Sequence, residues 1–136
     1  MNRNRVLIAG LATGVFWVIV DFAGHGVILG NAYRELGQQG AINAEPAIPF
    51  LPLLVIANLV IGIAAAWTYA AVRPRLGAGP KTALMLGLVI FLILIPPNLS
   101  QMAWFKVTDA IKWGSVLIAA IHAFGGTLIA GWLYKE

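Results

Sequence analysis

The sequence contains no cysteine, so the chain forms no disulfide bond and offers no thiolate for metal binding or nucleophilic catalysis. Charged residues are also scarce: they make up 10% of the 136 residues, whereas a typical soluble domain has about 25%. Hydrophobic residues account for 60% of the chain. So little charge cannot cover a surface that faces water. The composition therefore predicts an integral membrane protein whose main partner is the lipid bilayer.

The sequence also lacks the features of nucleic-acid-binding proteins and of common hydrolases. Nine Lys and Arg against five Asp and Glu give a net charge of +4, but the basic residues are scattered among hydrophobic runs and form no stripe. Neither Ser100 nor Ser115 lies in a nucleophile elbow, and no glycine-rich strand-to-helix turn is present to hold phosphate. We therefore expect no nucleic-acid partner and a non-enzymatic function.

Four hydrophobic runs are each long enough to cross the hydrocarbon core, which takes about 20 residues of helix. They cover residues 6–30, 50–72, 81–105 and 113–134. The whole chain, residues 1–136, has the length of one average domain, and we expect a single membrane domain. Because short connections place consecutive helices antiparallel, the sequence predicts an all-α bundle of four transmembrane helices.

Lys and Arg are unequally divided between the two ends of the predicted bundle. Six lie at one end, called the basic end below: Arg3, Arg5, Arg73, Arg75, Lys81 and Lys135. Three lie at the opposite end: Arg34, Lys106 and Lys112. Cytoplasmic loops are enriched in these residues. The count predicts that both termini lie on the cytoplasmic side of a bacterial inner membrane.

Two adjacent prolines, Pro96 and Pro97, lie inside the third hydrophobic run. Proline lacks a backbone N–H and clashes with the preceding helical turn. Residues 81–95 alone form about 22 Å of helix, which is shorter than a hydrocarbon core of about 30 Å. The third span must therefore continue past the prolines, and we predict a break there, since interrupted helices often form ligand or ion sites. A simple kink is the alternative.

Polar residues inside the spans are the candidate functional residues, because hydrocarbon cannot satisfy a polar side chain. There are seven of them: Asp21, His25, Asn58, Asn98, Ser100, Gln101 and His122. Helical rise places one polar residue of each helix about 10 to 13 Å from the end opposite to the basic end. This shared depth predicts a polar pocket in the outer half of the membrane that binds or passes a small solute or a proton.

Asp21 and His25 are four residues apart, so both can lie on one helix face. His122 would approach them from another helix. Such a group fits a proton-coupled switch or a counter-ion for a cationic ligand, and a purely structural hydrogen-bonded pair is the alternative. Two His and one Asp could also supply three metal ligands, but no His-Glu-x-x-His spacing is present, and we expect no metal site.

Glycine residues share helix faces with the polar residues. Gly10 and Gly14 lie on the face of Asp21, Gly62 is one turn from Asn58, and Gly126 is one turn from His122. Small residues at this spacing let two helix backbones approach closely. We expect Gly10, Gly14, Gly62 and Gly126 to pack helices together. The polar side chains would then turn into protein with them; the alternative is that these faces provide packing alone.

Several dispersed residues suggest a family resemblance. They are Trp17, Gly24-His25-Gly26 through Gly30 followed by Tyr33 and Arg34, Gly87, and Gly125-Gly126 through Gly131-Trp132. This pattern resembles small four-helix bacterial inner-membrane proteins grouped in a family of unknown function. The resemblance implies the four-helix architecture and no activity.

A second functional hypothesis is an accessory subunit of a membrane complex. Imidazoles that face into a bundle near aromatic residues can serve as axial ligands, so this hypothesis has His25 or His122 hold haem or another tetrapyrrole. Four short helices enclose little interior. We therefore expect the chain to form a homo-oligomer or to pack against other membrane subunits.

Overall fold

The computed structural model describes residues 1–135, apart from the side chain of Gln101. These residues form six α-helices and two π-helical segments: α1 (Arg3–Asp21), the first π segment (Phe22–Ile28), α2 (Gly30–Gln38), α3 (Phe50–Leu76), α4 (Pro80–Trp104), α5 (Asp109–Ala120), the second π segment (Ile121–Gly125) and α6 (Gly126–Leu133). Because each π segment continues an α-helix, four long helices result: Arg3–Ile28, Phe50–Leu76, Pro80–Trp104 and Asp109–Leu133. Each is long and apolar enough to cross a membrane. The prediction of an all-α chain with four such helices is confirmed.

Hydrogen bonds and ring contacts bring Asn2 and Tyr134 to the same end of the bundle as the turn between α3 and α4. The backbone N–H of Asn2 donates to the Tyr134 hydroxyl at 3.2 Å. The Tyr134 ring packs edge-on against Tyr69, with 6.3 Å between ring centroids. The Tyr69 hydroxyl in turn accepts from the N–H of Gly79 at 3.0 Å. Consecutive long helices are therefore antiparallel.

Glycine residues make the closest contact between helices, where α1 crosses α3. A Cβ atom on Gly62 would lie 2.5 Å from both the Gly10 oxygen and the Gly14 nitrogen. A Cβ atom on Gly14 would lie 2.7 Å from Leu59 Cα. Since the nearest atoms are backbone atoms, only glycine allows this approach.

Small residues fill much of the interior of the bundle, together with a few large side chains such as Trp17 and Tyr69, and many large hydrophobic side chains are exposed. Ala9, Ala66 and Ala130 have no solvent-accessible surface, whereas Ile8 and Leu92 are each 59% exposed. A soluble protein of this size would bury its large aliphatic side chains. Outward-facing Leu and Ile with a small-residue interior are instead typical of helices that pack in lipid.

A short helix, α2, begins at Gly30 and occupies the first part of residues 31–49, where the sequence suggested only a connection between spans. Leu36 is 2% exposed, so it anchors this helix on the bundle. The side chain of Arg34 donates to Asn31 at 3.1 Å and supports the first turn. Nine residues are too few for a stable isolated helix, and α2 therefore depends on this contact.

The helix α4 continues through Pro96 and Pro97 without interruption, so the predicted break is not confirmed. Proline fixes φ near the helical value, which allows the chain to remain helical although two N–H donors are lost. The Asn98 side chain donates to the Leu94 carbonyl oxygen at 2.8 Å, one turn earlier. This bond adds a side-chain donor in the turn that contains the prolines.

Candidate functional site

The carboxylate of Asp21 is held between side chains from two other long helices. Asn58 Nδ2 donates to Asp21 Oδ2 at 2.8 Å, and His122 Nε2 lies 3.3 Å from Asp21 Oδ1. Asn58 is 8% exposed, and the side chains of Asp21 and His122 are 14% and 15% exposed. These three residues, called the Asp21 cluster below, bring together the end of α1, the first half of α3 and the second π segment.

Trp17 fixes the position of His122. The indole Nε1 donates to the backbone oxygen of His122 at 2.7 Å, and the two rings are 5.6 Å apart between centroids. The imidazole Nε2 is also 3.2 Å from the backbone oxygen of Trp17. A carbonyl oxygen can only accept, so Nε2 carries the hydrogen in this arrangement. The imidazole therefore presents an N–H group between the Trp17 carbonyl and the Asp21 carboxylate.

Glycine provides the space that Trp17 needs. Trp17 is 3% exposed, and a Cβ atom on Gly126 would overlap with its Nε1. The neighbouring Thr13 hydroxyl donates to the backbone oxygens of Ala9, at 2.9 Å, and Gly126, at 3.2 Å. The contact between α1 and α6 thus positions the indole directly beside His122.

His25 belongs to a separate pair. Its Nδ1 lies 2.9 Å from the Tyr33 hydroxyl, and the two rings are 5.8 Å apart between centroids. Asp21 and His25 therefore have different partners, although their spacing of four residues suggested a direct contact. Residue His25 lies in the first π segment, where backbone hydrogen bonds run from i to i+5. A spacing of four residues does not define a shared face there as it does in an α-helix.

A cavity of about 270 Å³, called the outer cavity below, lies at the end of the bundle opposite to the basic end. Its walls include Tyr33, Asn98, Lys106 and Ser115. Tyr33 both lines this cavity and bonds His25, so the His25–Tyr33 pair stands at its edge. The outer cavity is large enough for several water molecules or a small polar solute.

The remaining predicted site residues lie outside the Asp21 cluster. Asn98 is on the wall of the outer cavity, with its amide bonded to its own helix. Ser100 is exposed on α4. The side chain of Gln101 lies outside the described residues. The structure therefore brings together Asp21, Asn58 and His122, and it places His25 and Asn98 nearer to the outer cavity.

Two residues of the site, Trp17 and Tyr33, were not among the predicted ligand-binding residues. Trp17 had a usable signal, since it lies one turn before Asp21 on the same face and near the middle of its span. Nothing in the sequence pointed to Tyr33 as a site residue, because an aromatic residue just beyond a hydrophobic run is typical of any membrane boundary.

The chemistry available here is that of hydrogen bonding and proton transfer. The Asp21 cluster contains one carboxyl group, one imidazole and one amide, and no group of three or more potential metal ligands was found among the described residues. Carboxyl and imidazole groups can each gain or lose a proton, and the amide can only orient them. Such a set can hold a proton or bind a small polar molecule.

Comparison with known proteins gives no match to a family model, to a curated protein or to a solved structure. The resemblance to small four-helix bacterial proteins therefore stays a prediction. Any functional conclusion must come from the geometry of the residues.

Proposed function

We propose that this chain is an integral protein of a bacterial inner membrane that binds or passes a small solute or a proton through polar residues within its spans. One observation carries the proposal. The Asp21 carboxylate lies between Asn58 and His122, which belong to two other helices that are long enough to span a membrane. The outward orientation of Ile8, Leu92 and other large hydrophobic side chains supports insertion in lipid.

A carboxyl group inside a membrane bundle is costly, which is why such residues usually serve a function. A scaffold that only packed its helices could use apolar residues at positions 21, 58 and 122 and avoid the cost of burying polar and ionisable side chains. The small residues around this cluster already provide close packing of the helices. The ionisable pair therefore adds proton chemistry that packing alone does not require.

The arrangement of polar residues supports a route from the outer cavity toward the Asp21 cluster. The cavity meets Tyr33, Tyr33 bonds His25, and His25 lies one turn beyond Asp21. Both histidines are in π segments, and π-helical turns occur frequently at functional sites. We propose that a proton or small solute enters at the outer cavity and reaches Asp21 past His25.

Reconstituted vesicles test this function. A proton gradient or a gradient of a small solute is imposed, and flux is followed with an internal dye or by solute uptake. Asp21→Asn keeps the size of the side chain and its ability to accept from Asn58, but removes the titrating group, so we expect flux or binding to be lost. The matched control is Asp109→Asn, because the Asp109 carboxylate pairs with Lys112 near the surface and should not affect flux.

Two results would contradict the proposal. Wild-type flux in Asp21→Asn would remove Asp21 from the mechanism. Wild-type vesicles that show neither proton flux nor bound solute would reject the function itself. A thermal unfolding curve of each variant in detergent separates loss of function from loss of structure.

The orientation is also testable, because the chain has no native cysteine. We propose that the basic end faces the cytoplasm, following the distribution of Lys and Arg. A single cysteine introduced at Ala78, in the turn between α3 and α4, should then be labelled by an impermeant thiol reagent only after the cells are opened. A cysteine at Gln39, just after α2, should be labelled in intact spheroplasts. The reverse pattern would overturn the proposed orientation.

An accessory subunit that holds a tetrapyrrole is the second candidate. His122 does not fit as an axial ligand through Nε2, because that atom already faces Asp21 and the Trp17 carbonyl. His25 fits better: its Nδ1 is held by Tyr33, and hydrogen bonding at one ring nitrogen is how proteins usually orient a metal-binding imidazole. A Soret band in the purified protein that disappears in His25→Ala would favour this candidate, and a colourless preparation would argue against it.

A further inference from the structure

A second cavity, of about 530 Å³, lies at the basic end, between the ends of α3, α4 and α6. We call it the basic-end cavity. Its lining combines apolar groups, among them Ala83 and Leu128, with the cationic side chains of Arg73 and Lys135. This cavity is at the opposite end from the outer cavity and shares no residue with the Asp21 cluster or the outer cavity.

Buried aromatic rings hold Arg73 at the wall of the basic-end cavity. The Arg73 guanidinium carbon lies 5.5 Å from the centroid of the Tyr134 ring, which is a cation–π distance. Tyr134 is 1% exposed and packs edge-on against Tyr69, which is completely buried. The Tyr69 hydroxyl accepts from Gly79 in the turn before α4. Three helix ends therefore fix the position of one cation.

The charge around this cavity is positive. Arg75 follows Arg73 in the last turn of α3, and Lys81 is in the first turn of α4. Of the five acidic residues in the sequence, Glu35, Glu45 and Asp109 belong to segments at the other end of the bundle, and Asp21 lies inside it. The fifth, Glu136, is next to Lys135 in the sequence, so six basic residues at this end stand against one acidic residue. An anion that enters the basic-end cavity is attracted by this field.

We propose that the basic-end cavity binds an anionic phospholipid, with its phosphate beside Arg73 and Lys135 and the first part of an acyl chain along Leu128 and Trp132. A free phosphate ion would use the cations but leave the apolar lining unfilled, whereas a lipid matches both. Trp132 is 70% exposed at the cavity edge, where an aromatic ring at the membrane boundary would contact a lipid. Basic pockets between the cytoplasmic ends of membrane helices bind such headgroups. This inference rests on the membrane insertion in the proposed function.

Quenching of tryptophan fluorescence by lipids with brominated acyl chains tests the site. The protein is reconstituted in phosphatidylcholine vesicles that contain a small fraction of brominated phosphatidylglycerol or brominated phosphatidylcholine. The contribution of Trp132 is obtained by difference from the Trp132→Phe variant. We expect half-maximal quenching of Trp132 at about a fivefold lower fraction of the anionic lipid than of the neutral lipid.

Matched variants connect this preference to the cavity. Arg73→Gln should remove the preference. Arg75→Gln changes the charge by the same amount on the same helix, outside the cavity lining, and should keep it. Ala78→Phe places a large side chain in the cavity lining without changing any charge, so it should also remove the preference. This second variant keeps the test decisive if Arg73→Gln does not fold.

Three outcomes would overturn the lipid site. One is equal quenching of Trp132 by both lipids, and another is an equal effect of Arg73→Gln and Arg75→Gln. The third is loss of the preference when millimolar inorganic phosphate is added, which would assign the cavity to a free anion. Failure of membrane insertion looks different, because neither lipid would then quench the exposed Trp104 or Trp113. Failure of the Asp21 pathway would leave these quenching results unchanged.

Discussion

Replacement of Gly62 by alanine tests whether helix packing sets the geometry of the Asp21 cluster. The new methyl group would lie 2.5 Å from the Gly10 oxygen and the Gly14 nitrogen, and 2.8 Å from Gly14 Cα. All three are backbone atoms of α1, so no side-chain rotation relieves the overlap. The two helices must separate by roughly 1 Å before the methyl group reaches an attractive distance of about 3.5 Å.

The expected loss of stability follows from this displacement. Added methyl groups in a tightly packed interior cost about 1 to 3 kcal/mol. The higher helix propensity of alanine returns up to about 1 kcal/mol. Because the overlap is with backbone atoms, the upper end of this cost applies, and we expect Gly62→Ala to lower the free energy of unfolding by about 2 kcal/mol.

The same displacement should damage the Asp21 cluster, because Asn58 lies one helical turn from Gly62 on α3. The bond from Asn58 Nδ2 to Asp21 Oδ2 is 2.8 Å long. Separation of α1 and α3 by roughly 1 Å would stretch it well beyond the upper limit of about 3.2 Å for a good hydrogen bond. We expect flux or solute binding in vesicles to fall in Gly62→Ala, even at temperatures where the variant is fully folded.

Unfolding in mixed micelles, titrated with a denaturing detergent and followed by circular dichroism, measures the change in stability. Gly30→Ala is the matched control, because a Cβ atom at that position meets no atom within 4 Å. It should change the free energy of unfolding by less than about 0.5 kcal/mol. If Gly62→Ala were as stable and as active as Gly30→Ala, the close crossing of α1 and α3 would be refuted.

Three further substitutions probe individual contacts. Trp17→Phe removes the indole donor to the His122 carbonyl and should lower the free energy of unfolding by about 1 kcal/mol or more in the same assay; an unchanged value would show that this bond contributes nothing. Thr13→Val keeps the shape of the side chain but removes its bonds to Ala9 and Gly126, so a loss of about 1 kcal/mol is expected, and a gain would contradict the reasoning. Tyr33→Phe removes the partner of His25 and should slow flux with little effect on stability, since Tyr33 lies at the edge of the bundle; wild-type flux would exclude the route past His25.

The sequence predicts the four long helices from the length of the hydrophobic runs, because a run of about 20 consecutive apolar residues is typical of a membrane span. It does not reveal α2. That helix has nine residues, mostly polar, and its stability comes from the burial of Leu36 on the bundle, which is a tertiary contact. Local patterns carry no information on such a contact.

For the candidate site, too, the sequence predicts what depends on single residues and misses what depends on contacts between helices. Polar residues such as Asp21, Asn58 and His122 stand out in any apolar run, so each is a candidate from sequence alone. Which of them meet depends on the direction in which each side chain leaves its helix. The two π segments change that direction, and no residue pattern in the sequence predicts a π segment. The sequence therefore does not predict the hydrogen-bond partners of His25 and Asp21, and the structure shows them. The prolines of α4 are a related case, because their sequence signal is equally compatible with a break and with a continuous helix.

Packing and polar chemistry are linked in this molecule because they use the same helix faces. Asn58 lies one turn before Gly62 on α3, and His122 lies one turn before Gly126 on the fourth long helix. On α3, Gly62 allows α1 to approach so closely that Asn58, one turn away, reaches Asp21. On the fourth long helix, Gly126 leaves room for the Trp17 indole, which holds His122 beside Asp21. Larger residues at 62 and 126 would leave the carboxylate without partners inside the bundle, where an unsatisfied polar group is costly. Substitutions at 62 or 126 should therefore impair function and folding together.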